Sequence, residues 1–277
     1  MRDVHLSPAK LKATLARFRR LRILVVGDLM LDKFIYGRVS RISPEAPVPV
    51  VHVEKETTFP GGAANVARNL AALGIRAELG GGIGRDESGS KLLSLLRHGK
   101  IGTTAIARFP SYPTIVKTRV LARQQQVVRV DREDPGRLTA RDRGAILQKT
   151  LRLLPKCDAL ILEDYGKGLF DQTFVDHLLE AAHRHGVPST VDPNVHNPLD
   201  WRGATLVKPN RLEAFGALGL PDSHQPADWI SVGEELLVNW SCQHLLLTLG
   251  EHGMILFQPG HKPHRIPSRA REVYDVS

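Results

Sequence analysis

The fold is organised around one stretch, Phe59-Pro60-Gly61-Gly62-Ala63-Ala64-Asn65-Val66-Ala67-Arg68-Asn69-Leu70. The paired glycines allow backbone dihedrals that other residues avoid, and they let a ligand approach the main chain closely. Helix formers continue to Leu73, and Gly74 supplies a stop. We predict a helix that begins on a glycine turn, with free N–H groups in its first turn and the amide of Asn65 beside them. The alternative is a tight turn before an ordinary packed helix, and residues elsewhere in the chain must decide between the two.

The composition indicates one globular α/β domain. The 277 residues are 42% hydrophobic and 24% charged, which is enough to bury a large core. No apolar run approaches the roughly 18 residues that span a bilayer, and no signal-peptide pattern is evident. Cys157 and Cys242 lie far apart and form no C-x-x-C pair, which argues against a disulfide framework or a zinc site. We expect a cytoplasmic protein with no membrane partner.

The formal net charge of +9 raises the question of a nucleic-acid partner. The basic residues are dispersed, and only 5% of residues are aromatic, so we expect no nucleic acid. An anionic small ligand is the better explanation of the charge. The histidines do not form an H-E-x-x-H pattern, and a histidine metal site is not predicted.

Strand and helix patterns alternate along most of the chain. This alternation predicts a mostly parallel central sheet with helices on both faces. The predicted strands are 22–27, 79–84, 157–162, 187–192, 204–208 and 244–249, and the predicted helices are 7–19, 87–98, 171–185, 210–218, 226–240 and one that opens at Thr139.

A second, smaller sheet is predicted from two other segments. Residues 37–51 contain Pro44, Pro47 and Pro49, which exclude a central strand but are compatible with edge strands. Residues 114–122 and 126–131 alternate basic and apolar side chains. Together they predict a small β lid, from about 36–54 and 113–131, that projects from the main body of a single domain spanning 1–277.

Polar residues follow one predicted strand after another. In parallel α/β sheets the carboxyl ends of the strands meet at one edge, where ligands bind. Carboxylates there can accept hydrogen bonds from sugar hydroxyls, whereas helix capping alone would account for one or two of them. The residues are Asp28 and Asp32, Asp164, Asp192, Asn210 and the turn Thr248-Leu249-Gly250-Glu251.

Two segments point to phosphate chemistry. Lys208-Pro209-Asn210-Arg211-Leu212-Glu213 places an amide and a carboxylate three residues apart at a strand-to-helix junction, so Glu213 is a candidate to hold Mg²⁺ through water. Gly250-Glu251-His252-Gly253 is a turn that lets a nucleotide phosphate approach backbone amides. The sequence has no Walker A motif, and no G-x-G-x-x-G follows the first strand.

These segments resemble the ordered signatures of the ribokinase (PfkB) family of sugar kinases. The resemblance covers nearly the whole chain from about residue 20. It rests on Gly61-Gly62-Ala63-Ala64-Asn65, Gly82-Ile83-Gly84-Arg85-Asp86 through Gly89, Asn210-x-x-Glu213 and Thr248-Leu249-Gly250-Glu251-x-Gly253. Arg41-Ile42-Ser43-Pro44-Glu45-Ala46-Pro47-Val48-Pro49 and Glu163-Asp164-Tyr165-Gly166-Lys167-Gly168 are similar to the heptose-7-phosphate kinase branch, which is the N-terminal kinase domain of a bifunctional heptose enzyme in bacteria.

The resemblance implies ATP-dependent phosphorylation of the anomeric hydroxyl of a heptose 7-phosphate, giving the 1,7-bisphosphate for lipopolysaccharide core synthesis, with ATP and Mg²⁺ as cofactors. It implies a sugar site formed by Asp28, Asp32, Gly61, Gly62, Asn65 and Asp164. Lys117, Arg119, Arg123 or Lys167 would neutralise the phosphate that the substrate carries. The nucleotide site would comprise Asn210, Arg211, Leu212 and Glu213, the turn residues Thr248, Gly250, Glu251 and Gly253, and Asp275.

The family signature Asp-Thr-x-Gly-Ala-Gly-Asp supplies the general base and the anion hole. Tyr274-Asp275-Val276-Ser277 provides its first three positions, with Asp275 matching the first Asp. We therefore expect the base beyond Ser277 and impaired phosphoryl transfer by these 277 residues. The resemblance also implies a homodimer through the lid. Two alternatives stay open, namely another sugar kinase of the same family and a non-catalytic protein that binds a sugar phosphate or a nucleotide.

Overall fold

A computed structural model describes residues 7–123, 125–134 and 138–268. In chain order its strands are β1 (Arg22–Gly27), β2 (Leu29–Ile42), β3 (Pro49–Gly62), β4 (Arg76–Gly84), β5 (Gly102–Phe109), β6 (Ile115–Ala122), β7 (Gln125–Arg132), β8 (Ala159–Glu163), β9 (Ser189–Asp192), β10 (Leu206–Val207), β11 (His244–Thr248), β12 (Met254–Phe257) and β13 (His264–Ile266). The α-helices are α1 (Pro8–Phe18), α2 (Ala63–Ala72), α3 (Glu87–His98), α4 (Ala140–Leu153), α5 (Gln172–Arg184), α6 (Arg211–Ala217) and α7 (Pro226–Asn239), and short 3₁₀ turns cover Leu154–Lys156 and Gly250–His252.

The central sheet has nine strands in the order β13-β12-β11-β10-β9-β8-β1-β4-β5. Pairing is parallel from β5 to β11, and it is antiparallel between β11 and β12 and between β12 and β13, at one edge. This confirms the predicted α/β class with a mostly parallel sheet.

Side chains of β1 alternate between two cores on opposite faces of the sheet. Leu24 and Val26 pack in the larger core with residues of α4, α5 and α7, whereas Val25 packs in the smaller core with residues of α2 and α3. A strand covered on both faces needs apolar side chains at consecutive positions. The uninterrupted apolar run of β1 follows from this placement.

Helix boundaries follow local capping. Asp86 accepts a hydrogen bond from the N–H of Gly89 at the start of α3, and Thr139 forms the predicted capping box with Asp142 at the start of α4. Sequence analysis missed β5. Its buried run is only Ala105-Ile106-Ala107, and Thr104 and Arg108 flank it, so the strand lacks a strong hydrophobic pattern.

The second sheet has four strands in the order β3-β2-β6-β7. β2 and β3 are antiparallel, β6 runs parallel to β2, and β7 closes the sheet antiparallel to β6. The strands reach beyond the segments predicted for the lid, because β2 starts at Leu29 and β3 ends at Gly62. Pro49 opens β3, which is an edge strand, as the proline argument requires. We call these four strands the lid sheet.

α1 is exposed along its length, apart from the half-buried Phe18 at its C-terminal end. None of its residues is buried, and the chain passes from it directly through residues 19–21 into β1. Of the helices that the structure describes, none has the length and apolar character needed to cross a membrane.

Candidate functional site at the carboxyl edge of the sheet

The paired glycines lie where β3 of the lid sheet enters α2. A Cβ atom at Gly61 would overlap Oδ2 of Asp32, and one at Gly62 would lie 2.5 Å from the main-chain oxygen of Asp28. Gly62 also has a φ of +58°, in the region that favours glycine. Both glycines are therefore needed to bring these two aspartates against the start of α2. Gly62 is the N-cap of α2 and offers no side-chain oxygen to the first-turn amides.

Asp28 anchors the loop that follows β8. The residue is 3% exposed, and its Oδ2 accepts hydrogen bonds from the N–H groups of Tyr165 and Lys167, at 3.0 and 3.1 Å. Burial raises the pKa of Asp28 to about 6, although these backbone N–H groups oppose the shift. The carboxylate thereby holds the 165–167 segment at the end of β1.

That segment brings Lys167 to Glu133, a residue that sequence analysis did not select. The Lys167 Nζ atom lies 2.7 Å from Oε1 of Glu133. Oε2 of Glu133 is buried and has no hydrogen-bond partner among the described residues. Tyr112 is buried nearby, since the charges of Asp28 and Glu133 both add to the rise in its pKa that burial causes. An unpaired buried oxygen is a place for a ligand hydroxyl.

Asp164 stabilises the same loop. It is 6% exposed, its Oδ1 accepts from the N–H of Gly166 at 2.7 Å, and its Oδ2 accepts from Nδ2 of Asn197 at 2.8 Å. Burial raises the pKa of Asp164 to about 7. Gly166 and Gly168 have positive φ, so the loop turns twice on glycines.

On the lid sheet, Asp32 and two of the predicted cations lie together. Arg119 NH1 is 2.5 Å from Oδ1 of Asp32, and the guanidinium also lies over the ring of Phe34, 5.3 Å from its centroid. Lys117 is the register partner of Asp32 and therefore points to the same face. Lys117 forms no ion pair within 4 Å in the described part of the chain.

Two other predicted residues are placed differently. Arg123 follows β6 and donates its N–H to the carbonyl of Gly37, at the end of the lid sheet remote from Asp32. The register puts it six strand residues beyond Lys117, the partner of Asp32, roughly 20 Å along the strand, and the structure does not bring it to the other candidates. The Oδ1 atom of Asn65 accepts a hydrogen bond from Arg68 NH2 at 2.7 Å, within the first turns of α2.

Asn210 and Glu213 form a reciprocal pair at the start of α6. The Asn210 Oδ1 atom accepts from the N–H of Glu213 at 2.9 Å, and Oε2 of Glu213 accepts from the N–H of Asn210 at 2.7 Å. This is a capping box, which fixes the carboxylate beside the ends of β9 and β10. Burial raises the pKa of Glu213 to about 7.

Three carboxylates and one lysine cluster at these strand ends. Glu163 and Asp192 are register partners at the ends of β8 and β9, and Lys208 Nζ lies 2.9 Å from Asp192. Burial, reinforced by the charge of Asp192, raises the pKa of Glu163 to about 8. Burial also raises the pKa of Asp192, although Lys208 opposes it. We call Glu163, Asp192, Lys208 and Glu213 the acidic cluster, because it holds more negative than positive groups.

The other residues predicted for the nucleotide site differ in their positions relative to these strand ends. Thr248 forms an isolated β-bridge with Asn210. Gly250 and Gly253, which both have positive φ, shape the turn that includes the exposed Glu251. Arg211 pairs with Asp222 at 2.9 Å, and Leu212 is largely exposed. Neither side chain forms a hydrogen bond or an ion pair with the acidic cluster among the described residues. Asp275 and the rest of Tyr274-Asp275-Val276-Ser277 lie outside the described residues.

Tyr165 connects the two halves of the site. Its N–H donates to Asp28, and the residue follows Glu163 and Asp164 directly after β8. The residue is 37% exposed; partial burial raises the pKa of its phenol, and the charges of Glu163, Asp192, Asp32 and Asp28 add to the rise. The family motif of residues 163–168 includes Tyr165 and Glu163, but the sequence indicated no role for either. Their position directly at the end of β8 was the available signal, whereas nothing local in the sequence marked Glu133.

The acidic cluster fits a hydrated divalent cation better than one bound directly by protein. Among the described residues no group of three or more His, Cys, Asp or Glu side chains is arranged to hold a metal ion. Burial raises the pKa of Glu163, Asp192 and Glu213, and neighbouring carboxylates add to the rise at Glu163 and Glu213; a cation beside them would favour their charged forms. Mg²⁺ that keeps most of its water shell, and contacts carboxylates through it, suits such a cluster.

The fold and site define a ribokinase-like α/β protein with a separate four-stranded lid sheet. The structure is similar to the ribokinase of Arabidopsis thaliana, solved with ribose and ATP, at a TM-score of 0.68 and 17% identity, covering 92% of this chain and 80% of that one. It is also similar to phosphofructokinase-2 of Escherichia coli, at a TM-score of 0.68 and 19% identity, covering 91% and 80%. At these identities the likeness shows the fold.

Sequence comparison gives the family. The model of the pfkB family carbohydrate kinases matches residues 20–277, and the chain belongs to this family. It is 43% identical over 267 residues to the bifunctional protein HldE of Pseudomonas aeruginosa and 44% identical over 269 residues to HldE of Pseudomonas fluorescens. It is 40% identical over 270 residues to HldE of Magnetococcus marinus. Each match covers 96% of this chain but only 55% of the relative.

Proposed function

We propose that this chain binds a heptose 7-phosphate and Mg·ATP and belongs to an enzyme that phosphorylates the anomeric hydroxyl, giving the 1,7-bisphosphate used for lipopolysaccharide core precursors. The observation that carries the proposal is the continuity of the site along the end of β8, where the N–H of Tyr165 donates to Asp28 and Glu163 lies beside Asp192 of the acidic cluster. The similarity to proteins named bifunctional HldE supports a heptose as the sugar.

The substrate end would work through hydrogen bonds and charge. Asp32, held by Arg119, would accept a hydrogen bond from a sugar hydroxyl, and the first-turn amides of α2 would donate to the sugar. Lys117 has no ion-pair partner among the described residues and lies on the face of Asp32, so it is the cation most available to the phosphate that the substrate carries. Lys167 would orient Glu133 toward a hydroxyl.

The nucleotide end would work by charge compensation. ATP supplies the phosphoryl group, and Mg²⁺ offsets the charge of its phosphates. Glu213 and Glu163 would hold the hydrated ion, and Lys208 would balance Asp192. Positive-φ glycines at Gly250 and Gly253 would let a phosphate approach the turn between β11 and β12. We assign no general base among the described residues.

Calorimetric titration of the 277-residue chain tests the proposal. Heptose 7-phosphate should bind at least about tenfold more tightly than the unphosphorylated heptose, roughly 1.4 kcal/mol. Lys117→Met should remove most of this preference, whereas Arg123→Met, at the remote end of the lid sheet, should keep it. Glu213→Gln should weaken Mg·ATP and leave the sugar phosphate nearly unchanged.

The outcomes separate the alternatives. Equal affinity for the phosphorylated and free heptose would contradict the proposal and indicate a kinase for another sugar. Equal loss of both ligands in Glu213→Gln would remove the metal assignment. Turnover of heptose 7-phosphate with ATP, assayed in the protein extended through a Gly-Ala-Gly-Asp turn and its following helices, separates an enzyme from a protein that only binds.

A further inference from the structure

Helix α1 carries an apolar stripe that the rest of the described chain leaves uncovered. Leu11 and Leu15 are 47% and 45% exposed, and no residue of the helix is buried. Phe18 continues the stripe at the i, i+4, i+7 spacing of one helix face and is half-buried where the helix joins the body. An isolated helix of eleven residues is marginal in water, so a surface that covers the stripe would stabilise it.

Cations flank this stripe on both sides. At 100° per residue, Lys10 and Arg17 lie along one border of the leucines, and Lys12 and Arg19 lie along the other. Residues 7–27 contain no acidic side chain. In the described part of the chain these four side chains form no ion pair within 4 Å. The helix thus presents a positive rim around an apolar centre.

We propose that α1 docks on an anionic lipid surface. An amphipathic helix with leucines on one face and lysine or arginine beside them lies in the membrane interface, with its apolar side chains below the headgroups. The long basic side chains cover apolar surface with their stems and reach anionic headgroups with their charges. Nucleic acid would leave the leucines uncovered, and a second copy docked here would bring its own positively charged helix against these cations.

The position of α1 is compatible with an open substrate cleft. The helix leads through residues 19–21 into the first residue of β1, where Leu21 accepts a hydrogen bond from the N–H of Arg76. Asp28 lies at the opposite end of that strand, about 20 Å away along six residues. The C-terminal end of α1 therefore lies at the amino edge of the sheet, opposite the edge that carries the candidate site. A peripheral contact of α1 with a bilayer differs from the sequence expectation that the protein has no membrane partner.

Vesicle co-sedimentation of the 277-residue chain tests this docking. The chain should bind vesicles rich in phosphatidylglycerol and not vesicles of phosphatidylcholine, and added salt should weaken the binding. Leu11→Ser combined with Leu15→Ser should lower partitioning by about tenfold, and Lys12→Glu combined with Arg17→Glu should do the same. Leu220→Ser and Lys91→Glu are the matched controls, because both residues are exposed on other parts of the surface.

Each other outcome overturns the proposal. Equal partitioning of the leucine variant and the original chain would mean non-specific adhesion of a positively charged protein. A sedimentation-velocity shift from dimer to monomer in the leucine variant would make a second copy the occupant. Loss of RNA binding in that variant, without loss of vesicle binding, would make nucleic acid the occupant. Unfolding transitions should be unchanged in all variants, since α1 buries none of its residues.

Discussion

At the scale of single residues, the role of Gly61 depends on Asp32, a residue distant from it in the sequence. The glycine pair was predicted to leave room for a ligand near the main chain. In the structure the space at Gly61 is filled by the carboxylate of Asp32, which is held by Arg119. Gly61 therefore leaves room for the carboxylate of Asp32, a candidate sugar-binding group. Any effect of replacing Gly61 on ligand affinity would act through that carboxylate.

Gly61→Ala should displace Asp32 and break its ion pair with Arg119. We expect the affinity for the sugar phosphate to fall at least about tenfold, roughly 1.4 kcal/mol, with little change for Mg·ATP. Overpacking should also lower the free energy of unfolding by about 1–3 kcal/mol. Calorimetry and urea titration measure both effects. Gly144→Ala is the control, because a Cβ atom there meets nothing within 4 Å; a Gly61→Ala protein that binds both ligands normally would contradict this role.

The sequence indicated residues whose spacing is local and missed those assembled by the fold. The three-residue separation of Asn210 and Glu213 was enough to predict that they face one side, and their capping box has that geometry. Glu133 could not be found, because its significance comes from Lys167, 34 residues along the chain. Arg123 satisfied the charge pattern of the lid, but its position follows from strand register, which the sequence did not fix.

At the scale of elements, the strand ends were predictable and their electrostatics were not. Alternating strand and helix patterns predicted that Asp192 and Asn210 lie at one edge of the sheet. The order of strands then determined which side chains became neighbours, and β8 beside β9 brought Glu163 next to Asp192. β5 was missed because small and polar side chains suffice at the edge where it pairs with β4.

The acidic cluster makes stability depend on pH. The pKa of Glu163 rises from 4.5 to about 8 in the folded chain, so between these values the folded state binds more protons than the unfolded state. Stability contributed by protonated Glu163 is therefore present below about pH 4.5 and is lost as the pH rises through about 8.

Replacing Glu163 isolates this contribution. Glu163→Gln should stabilise the chain by on the order of 2 kcal/mol at about pH 8 and leave it nearly unchanged at about pH 4.5. Urea titrations at both values measure the difference. Glu234→Gln, on the exposed face of α7, should show no such pH dependence. A gain from Glu163→Gln that is equal at both pH values would show that the carboxylate titrates normally.

At the scale of the whole molecule, the lid sheet has two unlike faces. Asp32, Lys117 and Arg119 share the face that carries the substrate candidates. Val128 and Val130 of β7 lie on the other face of the sheet, where they are the register partners of Val120 and Thr118. Val53 and Val39 extend the exposed apolar surface along β3 and β2. A continuous patch of this kind on a sheet is typical of an interface between protein subunits.

We propose that this valine face pairs with the same face of a second copy, because a self-complementary sheet surface forms a closed two-fold dimer. Val128→Asp combined with Val130→Asp places charges on the edge strand β7 and should convert the dimer to a folded monomer. Sedimentation velocity measures the mass, and urea titration checks the fold. Val238→Asp is the control, since Val238 is 73% exposed on α7 and remote in sequence from the lid. The lid cations lie on the other face, so heptose 7-phosphate binding should persist in the monomer. An unmodified chain that sediments as a monomer would remove the proposed dimer while leaving the substrate site intact.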